Sequence, residues 1–206
     1  MLNRRITSLI AAVAVAGLAA TGCSEQSAAV RVGDTTVSRS DFEDELDLFY
    51  EDDELRTFVF GQVDRAQLRG DLAGGYAQQY VGAVAGLHVQ FLVAETVLDD
   101  EGFELTDDDR SAAEDLVEQA VPGGVDRLPD DLRPDFLDGV AALTRLQDEL
   151  GEEEFNEAMT AGFEQADVDI SSRYGTWDTD QFTVTPPGGP AAAPGAADPA
   201  SDLAVG

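Results

Sequence analysis

Two side chains that often take part in nucleophilic or proton-transfer chemistry occur once each in this sequence: Cys23 and His88. A catalytic triad needs a nucleophile beside its base, and no serine or cysteine lies near His88 in the sequence. One histidine excludes a multi-histidine zinc site, one cysteine excludes an internal disulfide, and the absence of lysine excludes Schiff-base chemistry. We therefore predict a protein that is not an enzyme, with no catalytic residue, metal or cofactor. His88 is expected on the flank of a helix, bonded to water or to a neighbouring acid.

Carboxylates are by far the most abundant ionisable groups, with 42 acidic residues against 12 arginines and a formal net charge of −30. This charge repels a phosphate backbone, so we expect no nucleic acid partner. Calcium prefers several oxygen ligands, but no acidic run has the EF-hand pattern. The runs are therefore expected to be solvated faces and helix starts. They cover residues 51–54, 99–101, 107–109 and 152–154.

The N-terminal segment has the pattern of an export signal. Arg4 and Arg5 precede an apolar run over 6–20, which is too short to span a membrane but suits a signal peptide. The sequence Leu-Ala-Ala-Thr-Gly-Cys that follows is similar to a bacterial lipobox, in which the cysteine becomes the lipid attachment point. We predict a signal peptide over 1–22 and lipidation at Cys23, which anchors the chain to the outer face of the cytoplasmic membrane, in the cell envelope. The alternative is a plain signal peptide or an uncleaved anchor.

Composition divides the rest of the chain into a tether, a body and a tail. Residues 23–29 are a short polar tether, and 30–185 carry the periodic apolar pattern of a folded domain. Residues 186–206 are rich in proline, alanine and glycine and contain no aromatic side chain, which predicts a disordered tail.

Helical periodicity dominates the body, and strand patterns stand only at its two ends. A hairpin is predicted over 30–37 with a turn at Gly33-Asp34, and a short strand over 168–170. We predict a mainly α fold of four to five helices, closed by an N-terminal β-hairpin that pairs with the C-terminal strand. Helices are expected to follow a cap at Ser38 or Ser40, to cover about 76–100, to begin at Thr106, to begin near Pro134, and to cover about 152–163. Segment 52–72 is ambiguous, and 173–178 is predicted to be an aromatic turn.

Three stretches carry a resemblance to a known family. Residues 30–42 form a hairpin that leads through a serine cap into a helix, residues 91–109 form a helix, a glycine and an acidic helix restart, and residues 168–178 form a closing strand. These resemble the non-catalytic N-terminal chaperone domain of SurA/PrsA-type foldases, which the C-terminal domain of trigger factor shares, in an actinobacterial-type lipoprotein. The resemblance implies a holdase or assembly role. The family's parvulin prolyl-isomerase domain is expected to be absent, because residues 107–167 are too few and contain no histidine.

The resemblance implies that the partner is an unfolded or exported polypeptide. The alternative is a structural or interaction lipoprotein that serves one dedicated envelope protein. Aromatic side chains could supply an apolar groove for a polypeptide, or they could form the core of the domain. These candidates are Phe42, Phe49, Tyr50, Phe58, Phe60, Tyr76, Tyr80 and Phe91.

Overall fold

The computed structural model describes residues 28–70 and 75–187. The predicted signal peptide over 1–22, the predicted lipidation site Cys23, most of the predicted tether and nearly all of the predicted tail lie outside the described residues. The described elements follow one another as a β-hairpin, a series of helices and three short strands. They are β1 (Ala28–Val32), β2 (Thr35–Ser38), α1 (Arg39–Glu51), α2 (Asp53–Phe60), a 3-10 turn (Arg65–Leu68), α3 (Gln78–Asp100), α4 (Asp107–Ala120), α5 (Gly124–Arg127), α6 (Arg133–Gln165), β3 (Val168–Ile170), β4 (Thr176–Asp178) and β5 (Thr183–Thr185).

The two ends of the domain meet in a three-stranded antiparallel sheet of order β2-β1-β3. β1 and β2 are joined by Gly33 and Asp34, and Gly33 has φ +56° while Asp34 does not have a positive φ. A type II′ turn needs this arrangement, with glycine at its first central position. The prediction of a mainly helical fold, closed by a hairpin that pairs with the C-terminal strand, is confirmed.

Side chains fix the helix ends where the sequence places capping residues. Ser38 accepts a hydrogen bond from the backbone N–H of Asp41 at 3.2 Å, so Ser38 and not Ser40 begins α1. Thr106 and Asp109 form a reciprocal capping box at the start of α4, as the sequence predicts. Arg56 is buried and donates to the backbone carbonyls of Phe49 and Tyr50, which lie at the end of α1. The segment over 52–72, which the sequence left ambiguous, therefore contains the helix α2, and Arg56 holds this helix against the end of α1.

The helices predicted to begin near Pro134 and at 152 are the two arms of α6, which meet at a break where Gly151 is non-helical, with φ +75° and ψ 173°. One feature of the C-terminal half differs from the predicted elements. The predicted aromatic turn contains a strand, β4, which pairs with β5 in a second antiparallel sheet. Short strands of three residues carry too little alternation to be recognised in a sequence.

Helix α3 is the centre of the domain, and α6 packs along it. Two glycines permit the close approach. A Cβ at Gly139 would overlap the ring of Phe91, and a Cβ at Gly162 would lie 2.6 Å from Cγ2 of Val97. By length and composition α3 is apolar enough to cross a membrane, and it is the one such helix among the described residues. More than half of that apolar stretch is buried against the rest of the domain, as in the core helix of a soluble protein.

We expect Gly139→Ala to lower the free energy of unfolding by about 1–3 kcal/mol, because the new methyl group must displace the Phe91 ring. The matched control is Gly86→Ala in α3, where nothing lies within 4 Å of the added Cβ. That control should stabilise the protein by about 0.5–1 kcal/mol, since alanine favours helix over glycine. Urea unfolding followed by circular dichroism measures both. Equal effects of the two substitutions would contradict the packing argument.

Candidate polypeptide-binding groove

The eight aromatic residues proposed from the sequence line the interior of the domain. Five of them are buried, and three are half-buried. The buried side chains are those of Phe42, Phe49, Tyr76, Tyr80 and Phe91, and the half-buried ones are those of Tyr50, Phe58 and Phe60. A bound polypeptide could touch the buried five only if the helices moved apart. In this conformation those five serve the core.

Ring contacts join six of these aromatic residues into one cluster, whereas Phe42 contacts the rings of His88 and Tyr174 instead. Phe136 on α6 links two of them, with ring centroids 6.2 Å from Phe49 and 5.7 Å from Phe91. The Tyr80 hydroxyl donates to the backbone carbonyl of Leu46 at 2.6 Å, and burial raises its pKa well above the usual value. Tyr50 is covered on its exposed side by arginine, because the guanidinium of Arg69 lies 4.0 Å from its ring centroid. These aromatic side chains therefore make their contacts within the domain.

A cavity with an apolar lining lies elsewhere, at the end of the sheet where the hairpin meets the last turn of α6. It has a volume of about 650 Å³ and lies between α3, the C-terminal arm of α6 and the β1–β2 turn. We call it the groove. Its apolar surface is made of small aliphatic side chains rather than aromatic rings, and its rim carries carboxylates. The apolar residues include Val93, Val97, Ala158, Ala161 and Gly162, and the acids are Asp34, Asp100, Glu101 and Asp167.

Specific contacts hold the hairpin turn in place beside the groove. The backbone N–H of Gly33 donates to the carbonyl of Asp167 at 3.0 Å. The guanidinium of Arg31 reaches Asp167 at 3.1 Å and Asp169 at 3.6 Å, which ties β1 to the chain that leaves α6. Exposed pairs of this kind contribute little stability, but they fix the orientation of the turn. The β1–β2 turn, which forms one wall of the groove, is therefore held in position by contacts between the N-terminal and C-terminal ends of the domain.

The rim carries negative charge that the described arginines do not neutralise. Asp167 is paired with Arg31, but within 28–70 and 75–187 no arginine lies within ion-pair distance of Asp34, Asp100 or Glu101. No arginine lines the groove itself. Since opposite charges across an interface steer association, the rim favours a partner with lysine or arginine side chains.

A second, smaller cavity of about 150 Å³ lies between β2, α1, α3 and the start of α6. We call it the acidic cavity. It contains His88, which contacts Glu45 on α1, and both residues are buried. The predicted flank histidine therefore has an acid as its partner. The sequence carries one signal for this pair, because Glu45 lies on the apolar face that Phe42, Leu46 and Phe49 form.

Two further carboxyl groups at the acidic cavity lie in surroundings that disfavour their charged form. Burial, followed by repulsion from Asp138, Asp135 and Asp99, raises the pKa of Glu95 to about 7. Burial and the charge of Asp138 also raise the pKa of Asp135. Both groups are therefore easier to protonate in the folded domain than in the unfolded chain. Among the described residues, no three His, Cys, Asp or Glu side chains are arranged to hold a metal ion.

We expect Glu95→Gln to stabilise the domain at pH 8 by roughly 1 kcal/mol after allowance for solvent screening. The folded protein retains a proton on Glu95 that the unfolded chain releases, so stability falls as the pH rises from about 4.5 to about 7. The variant should lack this part of the fall. Urea unfolding at pH 5 and pH 8 tests the prediction, with the exposed Glu104→Gln as control. An unchanged pH dependence in the Glu95 variant would contradict it.

We expect His88→Leu to destabilise the domain by about 1–3 kcal/mol, because it leaves the Glu45 carboxyl buried without its partner. The double variant His88→Leu/Glu45→Leu should recover most of this loss, since two apolar side chains replace the pair together. Thermal unfolding of the single and double variants measures the coupling. Additive losses would show that the two side chains do not act as a pair.

Comparisons with known proteins give no match for this chain. No family model, no curated protein and no solved structure is similar to it. The resemblance to the SurA/PrsA-type chaperone domain therefore remains a prediction from the sequence.

Proposed function

We propose that this protein is a lipid-anchored, extracytoplasmic polypeptide-binding protein with a foldase-related chaperone domain and no prolyl-isomerase activity. The observation that carries the proposal is the groove, which offers an apolar surface beside a rim of carboxylates, of which only Asp167 pairs with an arginine among the described residues. Unfolded and partner polypeptides dock on such surfaces through their apolar side chains. In this proposal the binding surface is the groove and not the aromatic residues that the sequence suggested.

The small residues of the groove suit a polypeptide more than a compact cofactor. Ala158 and Ala161 leave room above α6, and Gly162 lets α6 approach Val97 and Val93 on α3. The apolar part of the resulting surface is aliphatic, and no cationic side chain lines it that could hold an anionic cofactor. Aliphatic side chains of different shapes could share it, as a holdase requires.

The position of the groove fits an anchor at the N-terminus. β1 begins at Ala28, close in sequence to the predicted lipid attachment at Cys23, and ends at Val32 beside the groove. A strand of five residues advances about 3.3 Å per residue, so the groove lies about 15 Å beyond the start of the domain. Lipid attachment at Cys23 would leave the groove at the far end of β1. The net charge of −30 would also repel the domain from anionic headgroups.

We expect the purified chain to suppress the aggregation of two unrelated unfolded proteins, measured by light scattering. Ala161→Trp should reduce this suppression at least tenfold in apparent affinity, because the indole fills the groove. The matched control Ala112→Trp, at an exposed position of α4, should leave it unchanged.

Salt separates the contributions of the groove and of the acidic surface. Suppression through an apolar surface persists at 1 M salt, whereas suppression by charge alone disappears, since the Debye length falls to about 3 Å. Loss of suppression in both tryptophan variants, or in neither, would contradict the proposed site. Absence of suppression by the unchanged chain would favour the alternative of one dedicated envelope partner.

A further inference from the structure

The outer edge of β2 is unpaired among the described residues. The sheet order is β2-β1-β3, so β2 has a neighbour on one side only, and Thr35 and Thr36 are exposed. Edge strands present backbone donors and acceptors on which a further strand can form.

The register identifies which backbone groups face outward. Val32 and Thr35 flank the two-residue turn and form a hydrogen-bonded pair, so the next pair, Arg31 and Thr36, is not hydrogen-bonded. The N–H and C=O of Thr36 therefore point away from β1. They are the groups that an added strand would meet first.

This edge borders both cavities. Thr35 lines the groove and the acidic cavity, and Thr36 and Val37 also line the acidic cavity. Beneath the edge, α3 presents Val93 to the groove and Leu92 to the acidic cavity. A strand laid beside β2 would therefore place its inward side chains over the two cavities, which combine apolar and acidic side chains.

Apart from the His88 ring, the ionisable side chains that line the two cavities are carboxyl groups. Neither cavity is lined by an arginine, and the acidic cavity contains the carboxyl groups of Asp41, Glu95, Asp131 and Asp135 besides the Glu45–His88 pair. The groove adds Asp34, which belongs to the hairpin turn itself. Charge complementarity therefore requires a cationic occupant.

We propose that β2 binds an extended polypeptide segment as an additional strand, and that this segment carries lysine or arginine among its apolar side chains. The proposal rests on the proposed function and names its binding mode and its class of partner. Backbone hydrogen bonds to Thr36 supply affinity for any sequence, and the two cavities select for apolar and basic side chains.

Peptides of alternating valine and lysine test the proposal against matched peptides of valine and glutamate, by fluorescence anisotropy with the full chain. The lysine peptide should bind at least tenfold more tightly. Methylation of the backbone nitrogens at one set of alternate residues should weaken binding at least tenfold, and methylation at the other set should not. Equal binding of the lysine and glutamate peptides, or indifference to both methylated sets, would overturn the proposal.

A substitution in the protein gives a second test. Thr36→Pro removes the outward N–H without removing a bond to β1, because proline is tolerated where the edge faces solvent. Binding of the lysine peptide should fall at least tenfold, and Thr36→Val should bind normally, with both folds checked by circular dichroism. Unchanged binding by the proline variant would overturn strand addition. If strand addition is overturned but the unchanged chain still suppresses aggregation, the proposed function remains supported. If the unchanged chain binds no polypeptide at all, both proposals are wrong.

Discussion

The close packing of α6 on α3 determines the shape of the whole domain. Gly139 admits the Phe91 ring at one end of the contact, and Gly162 admits Val97 at the other. Between them the interface buries aliphatic side chains such as Ala142 and Leu146, at a gain of about 25 cal/mol for each Å² of apolar surface. Packing density of this kind leaves little freedom to shift either helix. The hairpin and the remaining helices are arranged around this pair, and the groove opens where the contact ends.

Arginines of this domain pair with carboxylates at the ends of helices, and the excess carboxylates remain at the surface. Arg127 joins Asp52 and Glu54 near the start of α2, and Arg145 joins Asp109 to Glu149. These arginines brace helix ends, where carboxylates also favour the positive end of the helix dipole. With 42 acids and 12 arginines, many carboxylates have no arginine to pair with, even where one arginine serves two acids. The edge of β2 is one place where the unpaired ones gather beside apolar surface.

Local signals made much of the fold predictable. The turn at Gly33-Asp34, the cap at Ser38 and the capping box at Thr106 each depend on residues that are adjacent in the sequence, so their patterns could be recognised. The β4–β5 hairpin could not, because its strands are three residues long and Phe182, in the connection between them, takes a positive φ that sequence patterns do not reveal.

The groove was beyond sequence reasoning for a different physical reason. Its apolar surface consists of alanine, glycine and valine, which are equally common inside ordinary helices, whereas aromatic residues attract attention as candidate binding groups. Five of the eight aromatic candidates lie in the core instead, where large rings gain most from burial, and the other three pack against it. The His88–Glu45 contact joins residues 43 positions apart and depends on tertiary packing, although the acid on the apolar face of α1 was a usable sign.

The backbone of Gly151 divides α6 into halves with different tolerance of sequence change. Nothing lies within 4 Å of a Cβ placed at Gly151. Its non-helical φ and ψ interrupt the regular helix, so a rotation of one arm is not passed directly to the other. The N-terminal arm holds Phe136 and Leu146 in the core, while the C-terminal arm carries Ala158 and Ala161 on the groove. Substitutions of Ala158 or Ala161 are therefore insulated from the first arm, whereas Gly162 and the buried Met159 on the same arm are tied to the core. Such a division lets the surface of the groove diverge in evolution while the core that supports it stays the same.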